Sequence, residues 1–420
     1  MSSFAAAVET IKGDVTRAIP AALVRRATAA LGVTGRDRVL TPLVTTHLAV
    51  HRALNGGTAI THLRHLGDVS FTPSAYCQAI ARLPEAYFRA IQILVTNRLR
   101  ADRDEDLWRG HRLFLIDGTG VSMPDTPALQ AAFGQPGGQA AGCGFPVAHV
   151  LALFEARSGY VLKTVAAQLR SHDLTHTAAM HPEMRAGDVL VGDRAFGSFA
   201  HLAVCRGRGL HGVFRAHPGR PRTIDPDRRV WYPKPPTRPK WLTADEYAGL
   251  PAGLWVREVR VTVRVPGRRA WTIVLVTTLL DRRRYPARAL GQAYGRRWQV
   301  ETNLAYLKTT MKMDVLKSKT VDGVRKEIHV YGLAYNLVRR VMRAAADRQG
   351  VAVDRISFVD ALRWLIQARQ GEELPDLVVN PDRPGRVEPR VKKRRPKAFP
   401  RMTKPRAELK QKLRDQQVAA

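Results

Sequence analysis

Acidic side chains are scarce in this chain. Asp and Glu number 36 against 68 Lys and Arg, a formal net charge of +32. A compact protein with that excess repels itself, and a polyanionic partner relieves the repulsion. Cysteine is scarcer still: Cys77, Cys143 and Cys205 lie far apart, are odd in number and form no CxxC pair. This argues against a disulfide framework and a zinc ribbon, and fits a soluble protein of a reducing cytoplasm. No apolar run reaches the length of a membrane span, and the longest, Thr272 to Leu280, has strand length. Met1 to Val15 lacks the basic-then-apolar order of a signal peptide. Nucleic acid is therefore a better partner for the charge than an anionic membrane. Charge does not by itself define an enzyme, because ribosomal and architectural proteins are equally basic.

What is present divides the chain by texture. From Phe4 to about Arg100, apolar residues recur at helical spacing, as in Ala22, Leu23, Ala27, Leu31 and Val44, Leu48, Val50, Leu54. Residues 1–105 read as a helical N-terminal domain. In 106–217, short strands over Arg112–Ile116, Val147–Phe154, Tyr160–Ala166, Asp188–Val191 and Gly212–Arg215 alternate with helices over Thr175–Met184 and Ser198–Arg206. The segment Pro218 to Lys240 is too rich in Pro and Arg for a helix. Strands over Trp255–Val265 and Trp271–Leu279 then make 218–283 a β-rich insertion. Pro286 opens a long helix running to about Met311. Helices over Val321–Arg348 and Asp354–Arg369 follow, so 284–348 rejoins the α/β core and 349–380 is a C-terminal helical segment. Residues 381–420, centred on Lys392-Lys393-Arg394-Arg395, read as a basic, flexible tail suited to DNA contact.

Three carboxylates stand out. Asp117 follows the apolar run Leu113-Phe114-Leu115-Ile116, and Asp193 follows Val189-Leu190-Val191-Gly192. Carboxylates at the carboxyl ends of adjacent strands converge, and two Mg²⁺ ions flanking a phosphodiester take oxygen ligands of this kind. Glu301 supplies a third from the long helix. At about 100° per residue, Tyr294, Arg297, Glu301 and Lys308 fall within an arc of roughly 60° on one face. That face puts a carboxylate for the metal beside a guanidinium, an ammonium and a phenol for phosphate oxygens. Taken alone, Arg297 and Glu301 are equally an ordinary surface pair at i,i+4.

Y-x₂-R-x₃-E-x₆-K, standing as Tyr294, Arg297, Glu301 and Lys308, resembles the signature of the IS4 family of bacterial insertion-sequence DDE transposases, complete in residue type and spacing. Asp117 in Ile-Asp-Gly-Thr and Asp193 in Gly-Asp-Arg-Ala-Phe resemble that family's two aspartate blocks. The stretches Arg38–Gly67 and Val315–Lys319, and the helix around Glu327 and Tyr335-Asn336-Leu337, are similar to it as well. The resemblance implies an RNase H-like core with a β-rich insertion before the glutamate helix. It also implies catalytic and metal-binding roles for Asp117, Asp193 and Glu301, and phosphate or DNA contacts for Tyr294, Arg297 and Lys308. Trp298 would sit at the cut DNA end, with a packed helix tryptophan as the equal alternative. The implied cofactor is a pair of Mg²⁺ ions, with Mn²⁺ as a substitute. The implied partners are transposon-end inverted repeats, target DNA and a second copy in a synaptic homodimer, at the nucleoid. A decayed transposase that only binds DNA, and an RNase H-like nuclease that never joins ends, are the alternatives. Mg²⁺-dependent nicking separates the first. Other residues read as structural: His172, His176 and His181 as a solvated helix face, Asp125 as a turn or helix cap, and Asp188 at the wrong end of its strand.

Overall fold

The computed structural model describes residues 18–33, 39–65, 69–101, 107–217, 225–263, 270–368, 372–381 and 402–418. The boundary expected near residue 105 and the Lys392–Arg395 cluster lie outside them. The described chain opens with helices α1 (Ala21–Ala30), α2 (Pro42–Leu54), α3 (Ile60–Leu63), α4 (Pro73–Arg82) and α5 (Glu85–Ala101). Thr41 and Thr72 start α2 and α4: each hydroxyl accepts the N–H three residues on, and a proline occupies the first turn.

The strand-rich part follows as β1 (Leu113–Ser122), α6 (Pro127–Phe133), β2 (Val147–Glu155), β3 (Val161–Gln168), α7 (Asp173–Thr177), β4 (Val189–Gly192), α8 (Phe199–Gly207) and β5 (His211–Arg215). After it come β6 (Asp227–Pro233), α9 (Ala244–Ala248), β7 (Gly253–Val263) and β8 (Trp271–Thr277). Helices close the chain: α10 (Ala287–Gly295), α11 (Arg297–Ala305), α12 (Val321–Gln349), α13 (Phe358–Gln367) and α14 (Arg406–Val418). All eight strands form one sheet in the order β3-β2-β1-β4-β5-β8-β7-β6. Pairs β1–β4 and β4–β5 are parallel, and the others are antiparallel. The insertion thus extends the core sheet edge to edge through β8 rather than standing apart from it.

Helix α12 lies at the centre, packed against α2, α5, α13 and β3. It is apolar on several sides, with Val324, Ile328, Tyr335, Val338 and Met342 all buried, as a helix covered on more than one face requires. Val50, Tyr87 and Ile91 of the N-terminal helices join the same core as the sheet residues Phe114, Leu151 and Val213. Asn336, fully buried, ties these layers together. Its amide donates to Thr96 Oγ1 and to the Val161 carbonyl, both at 2.8 Å, and its carbonyl accepts the Val161 N–H at 2.9 Å.

Three expectations are corrected, and the Pro- and Arg-rich stretch, expected only not to be a helix, holds a strand. β1 does not end at Asp117-Gly118 but continues through both to Ser122. β6 lies inside the Pro- and Arg-rich stretch, paired with β7 from Asp227↔Val259 to Pro233↔Gly253. Its prolines sit at the strand's end or beyond, where no ladder bond is lost. The helix expected over Thr175–Met184 is the short α7 plus a 3-10 turn at His181–Glu183, and His181 is buried rather than solvated. The long helix from Pro286 breaks at Arg296 between α10 and α11 and ends in a π-helical turn, Tyr306–Thr310.

Candidate active site

The parallel pairing of β1 with β4 sets two of the carboxylates side by side. Leu113 pairs with Val189 and Leu115 with Val191. That pairing ends at Leu115↔Val191; Asp117 and Asp193 each lie two residues further on, close enough for Asp193 to act electrostatically on Asp117. Asp117 sits within its strand, and Asp193 begins the 3-10 turn Arg194–Phe196 without its side chain capping that turn. Each aspartate adjoins a glycine that space demands. A Cβ on Gly118 would come within 2.4 Å of the His149 ring, and one on Gly192 within 2.7 Å of Phe196.

Glu301 reaches the pair through Arg297. The guanidinium donates from Nη2 to Glu301 Oε1 at 2.9 Å, and its Nη1 stands 3.6 Å from Asp117 Oδ2. Burial would lower the Arg297 pKa, but Tyr294, Glu301, Asp193 and Asp117 together outweigh it and raise the value. Asp117 is pushed above the usual carboxylate range, chiefly by burial. The Gly118 N–H and Arg297 oppose that rise, while Asp173 and Asp193 add to it. Tyr294 is buried beside Arg297 and Asp193, and burial raises its phenol. The structure therefore gathers Asp117, Asp193, Glu301 and Tyr294 around the Arg297 guanidinium. Trp298 is about half exposed, with the Arg297 guanidinium 5.3 Å from its ring centroid. Lys308 lies on the π-helical turn, so the regular spacing assumed from sequence does not run through to it.

Sequence reasoning missed two features here. Asp173 hydrogen-bonds His149 and acts electrostatically on Asp117. No spacing rule links a residue on α7 to one on β1. A cleft of about 560 Å³ also opens between the insertion and α10–α11, lined by Arg215, Arg260, Trp271, Arg288, Tyr294 and Trp298 among others. Of the arginines that alternate along β7, Arg260 lines this cleft, whereas Arg257 is buried and paired with Asp227. Behind the site, Glu327 on α12 accepts the Lys317 N–H at 3.0 and 3.1 Å and the Ser318 N–H at 2.9 Å. It thereby holds the Val315–Lys319 stretch in place. Asp188 is structural, paired with Arg112 and the Arg185 N–H at the opposite end of β4. At α6 the cap is Thr126, not Asp125.

Asp117 on β1, Asp193 just past β4 and Glu301 on α11, in a basic α/β chain, fit an enzyme of the DDE class. The chain belongs to the transposase DDE domain family, whose sequence profile matches residues 108–337. It is similar to the transposase InsG for insertion sequence element IS4 of Escherichia coli (strain K12), at 24% identity over 351 residues, 80% of this chain and 77% of that one. The IS4-type resemblance expected from the four-residue signature is thus supported along most of the chain. Among solved structures, the piggyBac transposase synaptic complex with hairpin DNA aligns over 86% of this chain and 80% of that one, with a TM-score of 0.47 and 9% identity. Among the described residues, no helix is long and apolar enough to cross a membrane.

Proposed function

We propose that the chain cleaves DNA at transposon ends and joins the freed 3′ ends to target DNA, using an RNase H-like core and a pair of Mg²⁺ ions. The observation that carries this reading is the convergence of Asp117, Asp193 and Glu301 on Arg297. Three carboxylates that need one guanidinium between them form an oxygen-donor set suited to hard divalent cations. Mn²⁺ is the natural substitute. When bound, such ions supply Lewis acidity to the attacking and leaving oxygens. The strand order β3-β2-β1-β4-β5, with its antiparallel-then-parallel pairing, supports the RNase H-like assignment.

The chain's own residues divide the remaining work. Asp117, Asp193 and Glu301 fix the ions. Arg297, released from its carboxylates, turns its fork to the non-bridging phosphate oxygens, and Tyr294 donates a hydrogen bond beside it. Lys308 adds charge from the following turn. Trp298, exposed at the mouth of the basic cleft, packs against the DNA end, while the N-terminal helices read end sequence. Two ends brought together require two copies, hence a homodimer on DNA at the nucleoid.

The test is Asp193→Ala, assayed for Mg²⁺-dependent nicking and for binding of end DNA. Cleavage should vanish and affinity should stay nearly intact, because a metal ligand carries no sequence information. Equal loss of both would assign Asp193 to the fold instead.

A further inference from the structure

We propose that His181, His201 and Cys205 form a buried zinc-type metal site behind the strand end that carries Asp193. His181 opens the 3-10 turn before β4, while His201 and Cys205 lie one turn apart on α8, so both face the same way. All three are buried, at 3%, 1% and 0% exposure. Their donor atoms converge: His181 Nε2 to His201 Nε2 is 3.3 Å, Cys205 Sγ to His201 Nε2 is 3.5 Å and Cys205 Sγ to His181 Nε2 is 3.8 Å.

Those separations fit a shared metal ion. Zinc binds nitrogen at about 2.0–2.1 Å and thiolate sulfur at about 2.3 Å. Tetrahedral geometry then puts two nitrogens roughly 3.3 Å apart and nitrogen and sulfur roughly 3.6 Å apart. The tautomer of His201 agrees, while His181 Nδ1 is buried without a hydrogen-bond partner among the described residues. His201 Nδ1 lies 2.8 Å from the Phe196 carbonyl, so it carries the proton and leaves the Nε2 lone pair for a ligand, as ligating histidines commonly do.

The donor set is also chemically distinct from the carboxylates. Two imidazoles and a thiolate select zinc over magnesium, whereas the aspartates and glutamate favour the harder ion. Because the ligands come from the turn before β4 and the helix after the Gly192–Phe196 segment, the ion would clamp the loop presenting Asp193. His181, His201 and Cys205 would then be positioning residues, not catalytic ones.

The full-length chain, free of any histidine tag, tests this. Zinc content should be one per chain after gel filtration. Co²⁺ added to the zinc-stripped protein should give a thiolate-to-cobalt charge-transfer band and the visible bands of a tetrahedral ion, saturating at one equivalent. Cys205→Ser, with folding checked by circular dichroism, should lose the charge-transfer band. Asp193→Ala should keep it, which separates this site from the carboxylate site. Zinc should raise the melting temperature of the stripped wild-type protein by a few degrees. If wild type retains no zinc and shows no charge-transfer band in excess Co²⁺, the proposal fails. It fails equally if folded Cys205→Ser keeps the band.

Discussion

The Arg297 guanidinium stands 3.6 Å from the Asp117 carboxylate while donating to Glu301 at 2.9 Å. One side chain therefore links the first carboxylate of the sheet to the carboxylate of the helix. Its own exposure is 14%, while Glu301 is 47% exposed, so solvent screens the helix carboxylate more than the guanidinium. It acts as the resident counter-cation of a site whose carboxylates would otherwise repel one another.

Arg297→Ala should lower the single-turnover cleavage rate by roughly 10²- to 10³-fold, the usual loss when one preorganised donor is removed from a charge-stabilising site. Arg297→Lys restores the charge but not the planar fork, and should recover only part of the rate. Affinity for end DNA should change far less than the rate. Wild-type cleavage by both variants would refute the role assigned to Arg297.

The site was largely legible in the sequence because its geometry is local. Asp117 and Asp193 each close a run of apolar residues, and equal run lengths place them together once β1 and β4 pair in parallel. Tyr294, Arg297 and Glu301 follow helical spacing, and the break at Arg296 leaves the Arg297–Glu301 pair within one helix. What was hidden depends on tertiary pairing. β1 continues through Gly118 because β2 pairs it as far as Ser122↔Val147, which overrides the Asp-Gly turn signal. β6 forms among prolines because β7 offers a partner. His181 leaves the solvated face predicted for it because the chain turns after α7 and carries it under α8, a contact that no spacing along the sequence records.

Asn336→Ala should destabilise the fold by about 3 kcal/mol. The substitution strips partners from the Val161 N–H, the Val161 carbonyl and Thr96, all buried. An unsatisfied buried polar group costs about 1–3 kcal/mol. Urea unfolding should show a lower midpoint, and unchanged stability would mean that water replaces the amide.

His47 should make stability fall with acid. Its ring is buried against the Ile19 carbonyl, and burial depresses its pKa from 6.5 to about 4. The unfolded chain therefore binds the proton more readily. The stability this residue contributes is complete above pH 6.5 and is lost as pH falls toward 4. By pH 5 the loss should reach about 2 kcal/mol. His47→Gln keeps a donor for Ile19 without the titration. The stability difference between pH 7 and pH 5 should shrink by about that amount relative to wild type. An identical pH dependence would remove His47 from the account.

The basic tail gives the last prediction. Lys392 to Arg395, Lys397, Arg401, Lys404 and Arg406 concentrate positive charge with almost no apolar side chains among them. Within the described part, α14 is polar and exposed, with even Leu413 60% accessible. Helix α14 contributes nothing to the apolar core around α12. Deleting residues 382–420 should therefore leave the melting temperature and Mg²⁺-dependent nicking of short duplexes nearly unchanged. Each phosphate neutralised by Lys or Arg releases counterions, so log affinity falls with log salt in proportion to the phosphates engaged. Removing the tail should weaken binding to end and random DNA alike and flatten that slope by about 0.9 for every phosphate the tail had neutralised. A truncated protein with the full slope would show that the tail does not touch phosphate. Loss of discrimination between end and random DNA would show that the tail reads bases, and sequence reading would then no longer rest with the N-terminal helices.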